Sequence, residues 1–214
     1  MIYLTSDIHN DIEHPGLNEY IKKSTKDDIL IVLGDVGLRF PEKDCFEEFE
    51  KEFLAIKTPI AFIDGNHENE EYLSSLPVET LYGGSVHRVS ENIVHLMRGN
   101  VYNIQGKTFF AMGGCRSSEK WWSKGLASIK DEPSEDEVKL GYESLAKYEN
   151  KVDYIITHNY DANGTPENVN TLLGITQYID KNVDFSMWFC GHWHREEKID
   201  GKHRILYKSL TAID

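Results

Sequence analysis

Short apolar runs that stop abruptly at Asp, His, Asn and Gly constrain this chain more than any other feature. Ile2-Tyr3-Leu4 leads to Asp7-Ile8-His9, and Ile29-Leu30-Ile31-Val32-Leu33 leads to Gly34-Asp35. Ile60-Ala61-Phe62-Ile63 leads to Gly65-Asn66-His67-Glu68, and Tyr154-Ile155-Ile156 to Thr157-His158. Met187-Trp188-Phe189-Cys190 leads to Gly191-His192-Trp193-His194. Runs this short, apolar throughout and bounded by turn residues, read as strands. Helical patterns separate the first three, at Leu17 to Lys26 and from Cys45 to Leu54, where Phe46, Phe49, Phe53 and Leu54 share one face and Glu47 to Glu52 form a solvated one. Strands alternating with helices imply βαβ units and a parallel sheet. Ligands of such sheets gather outside the carboxyl ends of the strands, where all five clusters fall.

The middle of the chain changes character. Between residues 78 and 114, short β-rich runs are broken at Gly83-Gly84, Glu91-Asn92, Gly99-Asn100 and Gln105-Gly106-Lys107, which reads as β-hairpins. Another hairpin is expected across Asp200-Gly201-Lys202. Residues 115–135 are irregular and end at Ser134, with Glu137 three residues on, a capping box that opens a helix running to about Asn150. Periodicity alone gives mixed α and β, in a single domain over residues 1–214.

Each cluster is weak evidence by itself. Gly-Asp after a strand is commonly a turn, and Asp-x-His is commonly a solvated loop. Together they offer hard oxygens and imidazoles, a donor set that suits Mn, Fe, Zn, Ni or Mg. Asp, His and Asn collected at strand ends can hold two metal ions for hydrolytic chemistry at phosphorus.

In these motifs, from Asp7 to His194, the chain resembles the calcineurin-like metallophosphoesterases, a superfamily of binuclear metallophosphatases. The resemblance implies an α/β sandwich, two packed mixed β-sheets flanked by helices. It implies that Asp7, His9 and His194 hold a first divalent metal ion, that Asn66, His158 and His192 hold a second, and that Asp35 bridges them. A hydroxide bound between the metals would attack a phosphomonoester or phosphodiester, and His67 would protonate the leaving oxygen or stabilise the transferring group. Asp35 and His67 are thus the expected catalytic residues. Where many members have Gly-Asp-x-x-Asp-Arg, this chain has Gly34-Asp35-Val36-Gly37-Leu38-Arg39. Leu38 therefore removes the aspartate that would orient His67, which weakens the case for a protein phosphatase and leaves Asp64 or Glu68 as substitute partners. A second departure is Asn159-Tyr160-Asp161 after His158, in place of a proline-ended segment.

Composition narrows the partners. The net charge of −13 opposes a nucleic-acid backbone, which is bound through Lys and Arg, but allows a small phosphorylated substrate, because bound cations reverse the local potential. No apolar run reaches the length of a membrane span, and the opening residues do not read as a signal peptide. Cys45, Cys115 and Cys190 are odd in number and show no metal spacing, which fits a cytoplasmic protein; Cys190 reads as a small buried hydrophobe. Arg39 and Arg116 are candidate phosphate ligands, set against ordinary surface ion pairs. Trp121 and Trp122 read either as a wall over the metals or as loop packing. His14, His87, His95 and His203 match no motif and are expected at the surface. The competing functions are a protein phosphatase, a nucleic-acid phosphodiesterase and a non-catalytic scaffold of the same fold.

Overall fold

The computed structural model describes residues 1–41, 46–160 and 171–213. It contains two mixed sheets packed face to face, with helices on both outer faces. The first sheet holds β1 (Ile2–Thr5), β2 (Ile29–Leu33), β3 (Ile60–Ile63), β4 (Val78–Leu81), β5 (Gly84–Arg88) and β6 (Ile93–Leu96). The second holds β7 (Asn100–Ile104), β8 (Lys107–Met112), β9 (Tyr154–Thr157), β10 (Met187–Cys190), β11 (Glu197–Lys198) and β12 (His203–Ile205). A last strand, β13 (Thr211–Ile213), returns to the first sheet. The strand orders are β13-β1-β2-β3-β6-β5-β4 and β11-β12-β10-β9-β8-β7. In the first, β1, β2, β3 and β6 run parallel; in the second, β8, β9, β10 and β12 do.

The layering explains why the strands look apolar throughout instead of alternating. Every residue of β2 is buried. Ile29, Ile31 and Leu33 face the second sheet, in a core with Ala61, Ile63, Phe109, Ala111, Ile156 and Phe189. Leu30 and Val32 face outward, against a cluster that includes Leu17, Tyr20, Phe49 and Phe53. Those four lie on α1 (Pro15–Lys23) and α2 (Phe46–Leu54). On the other side, Phe110, Met112, Ile155 and Trp188 pack against Val138, Leu145, Ile175 and Ile179 of α5 (Glu135–Lys147) and α6 (Thr171–Asn182). Period-2 exposure vanishes from the hydropathy because both faces of both sheets are covered.

Helix ends follow local chemistry. α5 starts at the capping box, with Ser134 and Glu137 satisfying each other's backbone N–H groups. α1 places Pro15 in its first turn, where the missing N–H costs nothing, and Nδ1 of His14 accepts from the Leu17 N–H at 3.4 Å. Two shorter helices, α3 (Glu70–Ser75) and α4 (Glu119–Ser123), follow β3 and β8 in the chain.

Two expectations need correction. The break at Gly99-Asn100 is not a hairpin turn. It carries the chain from β6 in one sheet to β7 in the other, and Gly99 makes the crossing at φ +76°. The four unassigned histidines are not surface residues: His14, His87, His95 and His203 are all buried. Each is held by a polar or aromatic partner, so its burial leaves no mark on hydropathy. α6 and β13 are elements that the sequence reading did not assign. The Cys45 start of the second helix and the loop positions 42–44 and 161–168 lie outside the described residues. Among the described residues, no helix is long and apolar enough to cross a membrane.

Candidate metal centre

The carboxyl ends of β1, β2 and β3 meet those of β9 and β10 across the sandwich, and the five motifs meet there too. Ligand atoms of Asp7, His9, Asp35 and His194 lie within 4.8 Å of one another, as do those of Asp35, His158 and His192. Asp35 belongs to both groups. Its Oδ2 is 3.5 Å from His9 Nε2 and 3.3 Å from His158 Nε2. Oδ1 of Asp7 is 3.3 Å from His194 Nε2, and the Nε2 atoms of His9 and His194 are 2.9 Å apart. Imidazole nitrogens and carboxylate oxygens from four separate strand ends thus point at common centres.

The loops that deliver these side chains are unusual in their backbone. Asp7, His9, Asp35, His192 and His194 all have φ between 49° and 69°. Left-handed backbone is uncommon for residues other than glycine and costs energy, so its concentration here marks a site that the surrounding fold holds in place. The β1 and β2 loops stay paired beyond their strands, through Asp7 N to Gly34 O at 3.1 Å and His9 N to Asp35 O at 2.9 Å. Glycine allows the close approach. A Cβ on Gly65 would stand 2.8 Å from His158 Nε2, and one on Gly191 would stand 2.6 Å from Asp7 Oδ2. Neither position has room for a side chain.

The donors fit divalent cations. Oδ1 of Asn66 is buried with no hydrogen-bond partner among the described residues, and Nε2 of His158 has only the Asp35 carboxylate, 3.3 Å away. Buried polar atoms left open in this way call for an occupant. Nδ1 of His158 lies 2.7 Å from the carbonyl of Leu33, so Nδ1 carries a proton and Nε2 is the ring atom turned to the cluster. Asp7 accepts from the His192 N–H at 3.0 Å, which leaves the imidazole of His192 turned toward His158 with ring centroids 5.2 Å apart.

Electrostatics point the same way. Burial would raise the carboxyl of Asp35, but the facing His158 overcomes this and holds it well below the usual carboxylate range. Asp7 is likewise held low, against its burial, by His194 and His9. His158 is pushed up to about 10, because the charge of Asp35 outweighs the burial that would lower it. Burial drives His192 down to about 4, keeping it neutral and able to ligate. The site thus holds two ionised carboxylates beneath a crowd of imidazoles, and a cation there would compete with the proton on His158.

His67 stands beside the cluster. Its backbone N–H donates to Asp35 Oδ1 at 2.9 Å, and its ring packs at 4.7 Å on His9, 4.9 Å on Phe40 and 4.6 Å on Trp121. Neither proposed substitute for the missing aspartate is aimed at that ring. Asp64 pairs with His95 and Arg98. Glu68 accepts from the backbone N–H groups of Asp35, Val36, Gly37 and Gly65, tying the β2 loop to the β3 loop. Burial and the nearby charge of Asp35 push Glu68 up to about 8, and its bond from Gly65 opposes the rise. Leu38 is fully buried in the outer core of the first sheet, where an aspartate side chain would be desolvated.

The two arginines are placed at the periphery. Arg39 is half exposed, bonds Glu50 at 2.9 Å and lies over the ring of Tyr72. Arg116 is half exposed, 3.8 Å from Glu132. Trp121 packs on His67 and Phe40, whereas Trp122 is exposed. Several residues take roles around the site that the sequence did not assign: Glu68 as the tie between loops, Tyr207 stacked on His194 at 4.8 Å, and Cys115, whose Sγ is 3.7 Å from His192 Nε2. Only Glu68 had a sequence signal, its place directly after Asn66-His67.

A model of the calcineurin-like phosphoesterase family matches residues 1–196, and the chain belongs to that family. Members act on phosphoesters with the help of divalent metals. No curated protein matches. Among solved structures, a protein of unknown function from Aquifex aeolicus is 16% identical, with 86% of this chain and 87% of that chain covered and a TM-score of 0.41, too loose a likeness to bear on function.

Proposed function

We propose that this chain is a metal-dependent phosphoesterase that hydrolyses a small phosphorylated molecule, a phosphomonoester, phosphodiester or nucleotide. The observation that carries the reading is the sharing of Asp35 between two ligand groups, with His67 fastened to the same carboxylate. In this reading Asp7, His9 and His194 hold one divalent cation, Asn66, His158 and His192 hold the other, and Asp35 serves both. Two such cations, when bound, supply charge for the phosphate oxygens and a water of lowered pKa. The chain's own residues do the rest. Glu68 fixes the two loops that carry Asp35 and Asn66, so the ligands need little reorganisation. In this reading His67 gives a proton to the leaving oxygen. Its ring packs against both Phe40 and Trp121, which also touch each other and cover it from adjacent sides. A groove of about 460 Å³, lined by Phe40, Asn69, Glu71, Leu126 and Lys130, adjoins this segment and offers room for a small leaving group. Arg39 and Arg116 would have to leave Glu50 and Glu132 to reach a phosphate.

The net charge of −13 works against a polyanionic partner, which favours a small substrate over nucleic acid. Leu38 works against a protein phosphatase. The ligand set is complete, which works against a scaffold. The test is turnover of mono-aryl and bis-aryl phosphates by metal-stripped protein to which Mn, Zn, Fe, Ni or Mg is returned. Metal-dependent turnover is expected, with none in Asp35→Asn. Equal activity of Asp35→Asn and the parent would sink the proposal, and the diester-to-monoester ratio would narrow the substrate.

A further inference from the structure

A buried arginine outside every motif ties the wall of the site to its floor. Arg98 follows β6 and is 5% exposed. Its Nε donates to Asp64 Oδ2 at 2.8 Å and its Nη2 donates to the same oxygen. Asp64 immediately precedes Gly65-Asn66-His67. The remaining N–H groups of Arg98 reach the opposite segment: Nη1 donates to the carbonyl of Glu132 at 2.9 Å, and Nη2 to that of Lys130 at 3.0 Å. Nη1 also meets Glu137 at 3.3 Å, at the start of α5. One guanidinium thereby joins the His67 loop to the end of the segment that carries Trp121.

Gly114 ties the same two stretches again, and further bonds close the Trp121 segment on itself. Gly114 N–H donates to the Asp64 carbonyl at 2.9 Å, and Cys115 N–H to that of Asp131 at 2.7 Å. Oδ2 of Asp131 accepts from Ser117 Oγ at 2.7 Å and from Ser128 N–H at 3.0 Å. Trp121 lies between these ties and touches His67. A guanidinium has five donors in a fixed plane, and here they meet Asp64 twice, two carbonyls and Glu137, whereas an ammonium has three donors on a flexible stem and cannot make all five contacts.

We infer that Arg98 is a positioning residue, which sets the Trp121 segment against His67 and so shapes the leaving-group side of the site. The inference rests on the phosphoesterase reading for its effect on rate, though not for the clamp itself. Two readouts separate them: kcat on an aryl phosphate, and the rate of tryptic cleavage after Lys120 and Lys124, which are exposed in the clamped segment. In Arg98→Lys, kcat should fall about 10- to 100-fold, with KM and bound metal little changed and cleavage faster. Trp121→Ala should lower kcat as well, and the double variant should be no worse than the poorer single one, because both act through one contact. Unchanged kcat and cleavage in Arg98→Lys, or losses that multiply in the double variant, would overturn the inference. If Arg98→Lys does not fold, Asp64→Asn decides instead, since it discharges the carboxylate that Arg98 holds while keeping its shape; the same losses support the clamp, and parent-like kcat and cleavage refute it. If the parent shows no turnover with any metal, the phosphoesterase reading fails and cleavage alone decides.

Discussion

At the scale of single residues, the site separates groups that hold from groups that act. His67 donates its backbone to Asp35 but is absent from both clusters of ligand atoms. His67→Ala should therefore lower kcat by about 10²–10⁴-fold, the range of a lost general acid, with bound metal unchanged by elemental analysis. A loss of metal in step with activity would make His67 a ligand instead. The buried histidines outside the site supply a pH prediction. Burial, aided by the neighbouring His95 at 3.0 Å, lowers His87 to about 4. The folded state thus carries fewer protons than the unfolded one between about pH 6.5 and 4, and stability is lost as pH falls through that window, by at most about 3 kcal/mol. His87→Gln should flatten this limb in urea titrations at successive pH values. Asp64, held low by Arg98 and His95 against its own burial, contributes a separate loss at more acid pH.

At the scale of elements, the parallel strands were legible because each is a short apolar run with a polar stop. The β6–β7 crossing was not. Gly99-Asn100 carries the same turn signal as the true hairpin turns at Tyr82-Gly83 and Gln105-Gly106, and no local feature says which sheet the next strand joins. Tertiary contacts decide it: a Cβ on Gly99 would stand 2.6 Å from the Glu137 carbonyl and 3.0 Å from the Gly141 N–H of α5. Gly99→Ala should destabilise by more than about 2 kcal/mol, combining the left-handed backbone cost with a backbone collision that no rotamer relieves. An alanine at Gly83 or Gly106, where nothing lies within 4 Å of the new Cβ, should show only the backbone cost. Equal midpoint shifts for all three in chemical denaturation would argue that the crossing is not sterically closed.

At the scale of the whole molecule, two carboxylates and four imidazoles converge from strands that belong to two different sheets, so cation binding should brace the sandwich across its middle. A metal at 100 times its Kd stabilises the folded state by about 2.7 kcal/mol, which for a chain of this size is a rise in Tm of roughly 5–10 °C. Calorimetry with and without Mn or Zn should show it in the parent and not in Asp35→Asn; a metal-independent Tm would mean that the two sheets do not share an ion. The sequence by itself determined the parallel strands, the capping box of α5 and the cluster of candidate ligands, because strand burial, cap chemistry and donor type are local properties read from a few adjacent residues. Only the tertiary structure decided that Asp35 stands between both ligand groups, that Glu68 and Arg98 tie the loops together, and that four unassigned histidines are buried. Those depend on which chain segments meet, and a buried polar residue satisfied by a distant partner looks, in the sequence, like one that faces water.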